Sequence, residues 1–155
     1  LDLRESFDGD PWSHACVTHR ALAAADHAVI VGARAGSERE WARARESDVS
    51  LVAPETVRDR GAVAVEEAVD AAVDDPDATT YLSVDIDAAD PSVAPGTGTM
   101  EPGGLSPREM RDVVRAVAPM ADGVDVVEVN DRDDGQAATL GGHLLRAFVF
   151  AHAER

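Results

Sequence analysis

The sequence predicts an α/β fold: a mainly parallel sheet with helices on both faces. Three observations point there. Short apolar, β-branched runs alternate with stretches of helical spacing. The segments between runs are long enough for the crossovers that parallel strands require. Finally, 155 residues with 45% hydrophobic content suffice for one core and argue against two full domains.

The elements follow in chain order. Residues 17–25 read as a short helix. Residues 27–32 (HAVIVG) are an apolar run bounded by Asp26 and Gly32, a buried strand. Residues 37–46 form a charged helix, with Ser37 as N-cap and Glu40 completing a capping box. Residues 49–53 are a second short strand, stopped by Pro54. Residues 62–73 carry apolar side chains at helical spacing, and the sequence Asp74, Asp75, Pro76 ends that helix. Residues 79–86 (TTYLSVDI) are the strongest strand, followed by a loop over 87–104 rich in Pro and Gly. Residues 106–117 are a helix with Ser106 as N-cap, Pro107 first and Glu109 third. Residues 124–129 are another strand, and 136–153 the last helix. No repeat, low-complexity tract or domain linker interrupts this order.

Charge narrows the function classes. The chain has 30 Asp+Glu against 14 Lys+Arg, all of them Arg, for a net charge of −16. Such a surface disfavours binding to nucleic acid through phosphate neutralisation. The acidic excess without Lys fits a salt-rich cytoplasm, where charge repulsion is screened, or alternatively an Arg- and Ala-favouring GC-rich genome. No apolar stretch approaches a membrane span, and the polar start LDLRESFDGD is no signal peptide. The single Cys16 excludes an internal disulfide and a multi-cysteine zinc site; a reducing, cytoplasmic setting is expected.

In open parallel sheets, ligands bind beyond the carboxyl ends of the strands. Attention therefore falls on the loops after Ile86 and Val129. Asp85 and Asp87 lie two apart at a strand end, and strand alternation places both on one face. Two such carboxylates repel unless a cation holds them, and hard oxygen donors suit Mg²⁺, Ca²⁺ or Mn²⁺. A solvated strand end is the plain alternative. Asp90, before Pro91, reads as a turn or N-cap residue. Glu128 among valines calls for a partner, unless it already stands in solvent at the strand end. Taken alone, Asp2 reads as a solvated end carboxylate and His14 as a surface or packing histidine. Cys16 reads as packing and Trp12 as a loop anchor. His19, His27, His143 and His152 read as structural.

The stretch SVDIDAADPSVAPGTGTMEPGGL, residues 83–105, closely resembles the signature of the ureohydrolases, the arginase–agmatinase family of binuclear manganese hydrolases. The family's run of Ser-x-Asp-x-Asp-x-x-Asp-Pro, then Ala-Pro-Gly-Thr-Gly-Thr-Pro, then Gly-Gly is matched nearly throughout, with Met100 where Pro is usual. Two more segments are similar: LDLRESFDGDPWSHACVTHR over 1–20 and VDVVEVND over 124–131. The resemblance implies a three-layer α/β/α arginase-like fold. It implies that Asp85 bridges two Mn²⁺ ions, that Asp87 binds one, and that Asp2 is a further metal ligand. It implies that His14 moves protons near the active site and that Glu128 grips the guanidinium of the substrate.

The implied reaction is hydrolysis of a guanidino compound to urea and an amine. The stretch before His14 lacks most of the Ser, Thr and Asn groups with which arginases read an amino acid, and is similar to archaeal and bacterial agmatinases. Agmatine, giving putrescine, is thus the expected substrate, in a protein most like an agmatinase of salt-loving archaea. Formimidoylglutamate, guanidinobutyrate and arginine stay open. The family's Gly-Gly-Asp-His and Asp-Ala-His motifs do not occur in these residues. Residues 1–155 are therefore expected to be the C-terminal part of one ureohydrolase domain. The sheet would then be incomplete on its N-terminal side, and the fragment alone inactive. The complete protein is expected to be a homo-oligomer, a trimer or hexamer, with no nucleic-acid or membrane partner.

Other classes weigh less. A receiver domain needs a Lys at its last strand, and the chain has none. A nucleotide-binding domain would rest on VGARAGSE over 31–38, which lacks both the glycine spacing and a P-loop Lys. A catalytically inactive ureohydrolase used as a binding or scaffold subunit stays open.

Overall fold

The computed structural model describes the chain except for Asp74, Pro76 and Arg155. Ten elements follow one another: α1 (Val17–Ala21), β1 (Ala28–Val31), α2 (Glu38–Arg43), β2 (Val49–Val52), α3 (Pro54–Arg60), α4 (Val63–Ala72), β3 (Tyr81–Asp85), α5 (Pro107–Val117), β4 (Gly123–Val127) and α6 (Gln136–Ala153). Two single 3-10 turns, His14–Cys16 and Ile86–Ala88, complete the order. The stop read at the end of α4 falls at Asp74 and Pro76, outside the described residues.

All pairing between the named strands is parallel, as the crossover lengths require. β1 pairs with β2, Ala28 opposite Val49, and β3 pairs with β4, Tyr81 opposite Gly123. Among the described residues the two pairs are not hydrogen-bonded to each other.

Alternation shows how the first pair is covered. Val29, Val31 and Val52 join the main core, while Ile30 and Val49 turn to a second cluster with Leu3 and Ala44. Apolar groups thus cover both faces of β1–β2. The second pair departs from expectation. Leu82, Val84, Val124 and Val126 face the main core, but Tyr81 is 62% exposed and Val127 37% exposed on the other side. Ser83 donates a 2.7 Å hydrogen bond to Asp125 on this polar face.

The two capping boxes form as the sequence requires. Ser37 and Glu40 open α2, and Ser106 and Glu109 open α5. Met110, Val113, Val114 and Val117 make the buried stripe of α5, at one-face helical spacing. α6 presses on β4 through Gly141: a Cβ there would lie 3.2 Å from Val126 Cγ1. Leu144 of α6 is fully buried, so truncating it to Ala costs roughly 2–5 kcal/mol.

Several boundaries are shorter than the periodicity suggests. α1 ends at Ala21, with a succession of turns over 22–24, and α2 ends at Arg43. There Arg43 grips Asp48 with two 2.6 Å hydrogen bonds across the turn into β2. Pro54 does more than stop β2. It opens the unexpected helix α3, with Glu55 in the first turn and Arg58 and Arg60 in the last, before Gly61 at φ +72°. Proline suits a first helical position, where no intrahelical amide is needed.

Candidate active site

Asp85 is the last residue of β3, and there the strand alternation stops. Its side chain accepts the amide of Asp87 at 2.7 Å and caps the turn Ile86–Ala88. The two carboxylates are therefore related by a capped turn, and the same-face strand reading is corrected. Ile86 between them is fully buried and anchors the turn in the core. The following loop folds back onto it. Thr99 donates its amide to Asp87 Oδ1 at 3.4 Å, and residues 88–90 pair with Leu105 through two 2.9 Å backbone bonds.

Glu128 lies one residue beyond β4, not inside an apolar strand. Its φ is +58°, in the left-handed region. The chain there turns out of the sheet, and Asn130 donates its amide to Gly96 O at 2.7 Å. A Cβ on Gly98 would come within 2.8 Å of Glu128 Oε2, so the glycine loop and this carboxylate adjoin.

Asp2 is also left-handed, at φ +53°. Buried Leu3 holds it in place by packing on Ala44 and Val49. The Asp2 carbonyl accepts the His19 amide at 3.1 Å. His14 begins the 3-10 turn capped by Ser13, stands exposed, and meets the Phe7 ring edge-on at 6.1 Å between centroids. Left-handed backbone in non-glycine residues costs on the order of 1–3 kcal/mol and tends to cluster at functional sites.

The electrostatics join these positions. Burial pushes the Asp85 carboxyl up to about 7. The Asp87 amide partly opposes this, and the charges of Asp87, Asp2 and Glu128 add to it. Asp2 is raised as well, first by burial and then by Glu40 and Asp87, while the amino group of Leu1 and His14 pull it back. Asp85 thus feels the charges of Asp87, Asp2 and Glu128, and Asp2 feels that of His14.

This chemistry suits a divalent cation. The donors are hard oxygens, and a half-buried carboxyl raised by neighbouring negative groups gains most from a positive charge. The donor count is the shortfall. Among the described residues, no group of three or more His, Cys, Asp or Glu is drawn close enough to hold an ion unaided. Asp2, Asp85 and Asp87 fit as part of a ligand set.

Other residues acquire roles that the sequence reading did not give them. Arg34, in the loop after β1, donates to the carbonyls of Asp87 and Ala89, both at 3.0 Å. Asp133 accepts the amides of Gly96 and Ala137, each at 2.8 Å, tying the glycine loop to the start of α6. Its other oxygen, Oδ1, is buried without a hydrogen-bond partner among the described residues. An Asp just ahead of a helix without another cap was the available signal for Asp133; Arg34 had none.

Glu40 is buried, receives Arg4 at 3.1 Å and accepts the Ser37 amide at 2.8 Å. Asp90 is a turn residue, as read. The Ser92 hydroxyl and amide and the Gly103 amide hold its carboxyl well below the usual range. Cys16 is fully buried packing. Trp12 is not an anchor: it is 78% exposed, with the Arg20 guanidinium over its ring at 5.1 Å. His27 bonds Ser50 and His152 bonds the Ala118 carbonyl, both at 3.0 Å.

A surface cavity of about 420 Å³ is lined by residues that include Thr79, Thr80 and Asp122, before β3 and β4 begin. It lies at the opposite strand ends from the carboxylates. Among the described residues no helix is long and apolar enough to cross a membrane.

Known proteins are similar to this chain in sequence and fold. The chain is 35% identical over 142 residues to the N(1)-aminopropylagmatine ureohydrolase of Thermococcus kodakarensis, covering 90% of this chain and 47% of that one. It is 32% identical over 141 residues to the agmatinase of Bacillus cereus, covering 86% and 46%. The crystal structure of the agmatine ureohydrolase of Thermoplasma volcanium superposes with a TM-score of 0.84 at 32% identity, covering 98% of this chain and 52% of that one. The chain thus spans about half the length of the relatives it matches. A model of the arginase family matches residues 1–151, and with these likenesses in fold and sequence the chain belongs to that family.

Proposed function

We propose that the protein hydrolyses a guanidino compound to urea and an amine, with agmatine, giving putrescine, as substrate and manganese as cofactor. The capped turn that presents Asp85 and Asp87, with Asp2 and Glu128 near enough for their charges to raise half-buried Asp85, is the observation that carries this reading. The agmatinases among its relatives support the substrate.

Asp2, Asp85 and Asp87 would hold the cations, with the remaining donors supplied by a preceding segment of the same domain. Residues 1–155 are accordingly the C-terminal part of one ureohydrolase domain, a reading supported by their coverage of about half of each relative. Bound manganese would supply a water acidified enough to attack at neutral pH. Glu128 pairs with the guanidinium and orients its carbon, and the glycine loop at Gly98 limits where that carboxylate can stand. Exposed His14 carries protons between solvent and the leaving amine. The complete protein works in the cytoplasm as a homo-oligomer, a trimer or hexamer.

A second reading takes N(1)-aminopropylagmatine, which the Thermococcus relative's name gives as its substrate, in place of agmatine. The test is urea release by the protein from its complete gene, in high salt with and without Mn²⁺. Agmatine, N(1)-aminopropylagmatine, arginine and guanidinobutyrate are compared. Mn²⁺-dependent urea from agmatine is expected. Folded protein that releases urea from none of them would sink the proposal.

A further inference from the structure

We infer that Arg34 is a positioning residue for the carboxylate site, an inference that rests on the reading of Asp85 and Asp87 as cation ligands. Its guanidinium spans three segments. Nη2 donates to the carbonyls of Asp87 and Ala89, each at 3.0 Å, and Nη1 reaches Ala88 O at 3.4 Å. Nε donates to Glu101 O at 2.8 Å, Nη2 also bonds that carbonyl, and Nη1 donates to Gly32 O at 3.3 Å. All these acceptors are main-chain oxygens.

The choice of acceptors separates this from ordinary loop packing. Three of them are the peptide of Asp87 and the two that follow, the turn that presents Asp85 and Asp87. Another, Glu101, stands three residues after Gly98, which borders the Glu128 carboxylate. One side chain from the end of β1 therefore fixes the turn after β3 and the glycine loop in one register. Among the described residues the two strand pairs are not hydrogen-bonded to each other, and the Ala89–Leu105 pairing ties the turn to the loop's far end without tying either to β1. Arg suits the task because its planar fork offers five donors in fixed directions, whereas Lys offers a point charge on a flexible stem. Groups that orient metal ligands typically change metal affinity by roughly 10–100-fold when removed.

The test uses the protein from its complete gene, with Arg34→Gln, Arg34→Lys and the control Arg58→Gln. Arg58 also donates to a main-chain carbonyl of this loop, Gly103 O at 2.7 Å, but not to the Asp87 turn. Mn²⁺ affinity is measured calorimetrically on protein shown to be folded by circular dichroism. Steady-state kinetics follow at saturating Mn²⁺. Both Arg34 variants are expected to bind Mn²⁺ roughly 10–100-fold more weakly. Their kcat falls while KM for agmatine moves less than about threefold. Arg58→Gln keeps the wild-type affinity. Wild-type affinity in Arg34→Gln, or full rescue by Arg34→Lys, overturns the inference. Failure of both variants to fold also overturns it, making Arg34 a framework residue. A wild-type protein that binds no divalent cation overturns the cation-ligand reading itself, and is distinguished by failing before any substitution is made.

Discussion

Gly98 and Glu128 stand so close that a single methyl group on the glycine would lie 2.8 Å from Glu128 Oε2. What it meets is the far end of a flexible side chain, so the fold can yield by moving the carboxylate. Gly104 is the contrast: a Cβ there would lie 2.5 Å from the backbone of Ala89 and Asp90. Gly98→Ala is expected to lower kcat/KM by roughly tenfold or more with stability within about 0.5 kcal/mol of wild type. Gly104→Ala is expected to lose about 2 kcal/mol or more, because backbone cannot step aside. Urea denaturation and substrate kinetics on both variants check this; equal stability losses would refute it.

The left-handed backbone at Glu128 predicts a trade between stability and activity. Glu128→Gly removes the steric cost of φ +58° but adds chain entropy in the unfolded state. The two nearly cancel, so stability changes between zero and a gain of about 1 kcal/mol, while activity is lost. A loss above about 1 kcal/mol would show that the Glu128 side chain holds the fold together.

Asp85 carries the clearest electrostatic prediction. Its folded-state value, about 7, exceeds the ordinary 3.8. With no cation bound, ionisation therefore penalises the fold. The penalty is absent below pH 3.8, grows as pH rises to about 7 and is constant above. Asp85→Asn should stabilise the cation-free protein at pH 8 by on the order of 3 kcal/mol. The same variant should lose the melting-temperature rise that Mn²⁺ gives the wild type. Thermal melts with and without Mn²⁺ test both halves. A destabilised variant at pH 8 would contradict the first.

Glu40 titrates in the opposite sense. Burial raises its carboxyl, but the Ser37 amide and hydroxyl, then Arg4, outweigh burial and leave it below the ordinary 4.5. A depressed carboxyl stabilises the fold above its unfolded value and loses that contribution as pH falls through the folded one. Wild type should exceed Glu40→Gln in stability by roughly 1–3 kcal/mol at pH 7. The gap should close below about pH 4. A gap that is independent of pH would mean that packing, not charge, is what Glu40 contributes.

The sequence made legible whatever depends on local chemistry. The Ser37–Glu40 capping box, the Ser106 N-cap and the four apolar strands formed where side-chain type and spacing placed them. The site was less legible for physical reasons. Asp85 and Asp87 look like strand alternation, yet the amide of Asp87 finds the Asp85 carboxylate and the chain turns. Nothing in VDVVEVND announces that Glu128 leaves the sheet left-handed, because Asn130 bonds Gly96, 34 residues earlier in the chain. Arg34 was silent altogether, since its partners are carbonyls, which every residue has. The opening of α3 was readable and missed, as was Asp133 ahead of α6: Pro54, Glu55, two arginines and Gly61 form a complete helix phrase.

The separation of β1–β2 from β3–β4 has a colloidal consequence. Among the described residues each pair is two strands wide, so in residues 1–155 backbone groups along its outer edges can template pairing with another chain. The strands are short, four or five residues, and the chain around them carries a net charge of −16. At that charge, mutual repulsion opposes edge-to-edge pairing between copies of residues 1–155. That defence fades as pH approaches the sequence pI of about 4.4. Light scattering there should rise before circular dichroism reports unfolding, and a strand added in trans along an open edge should suppress it.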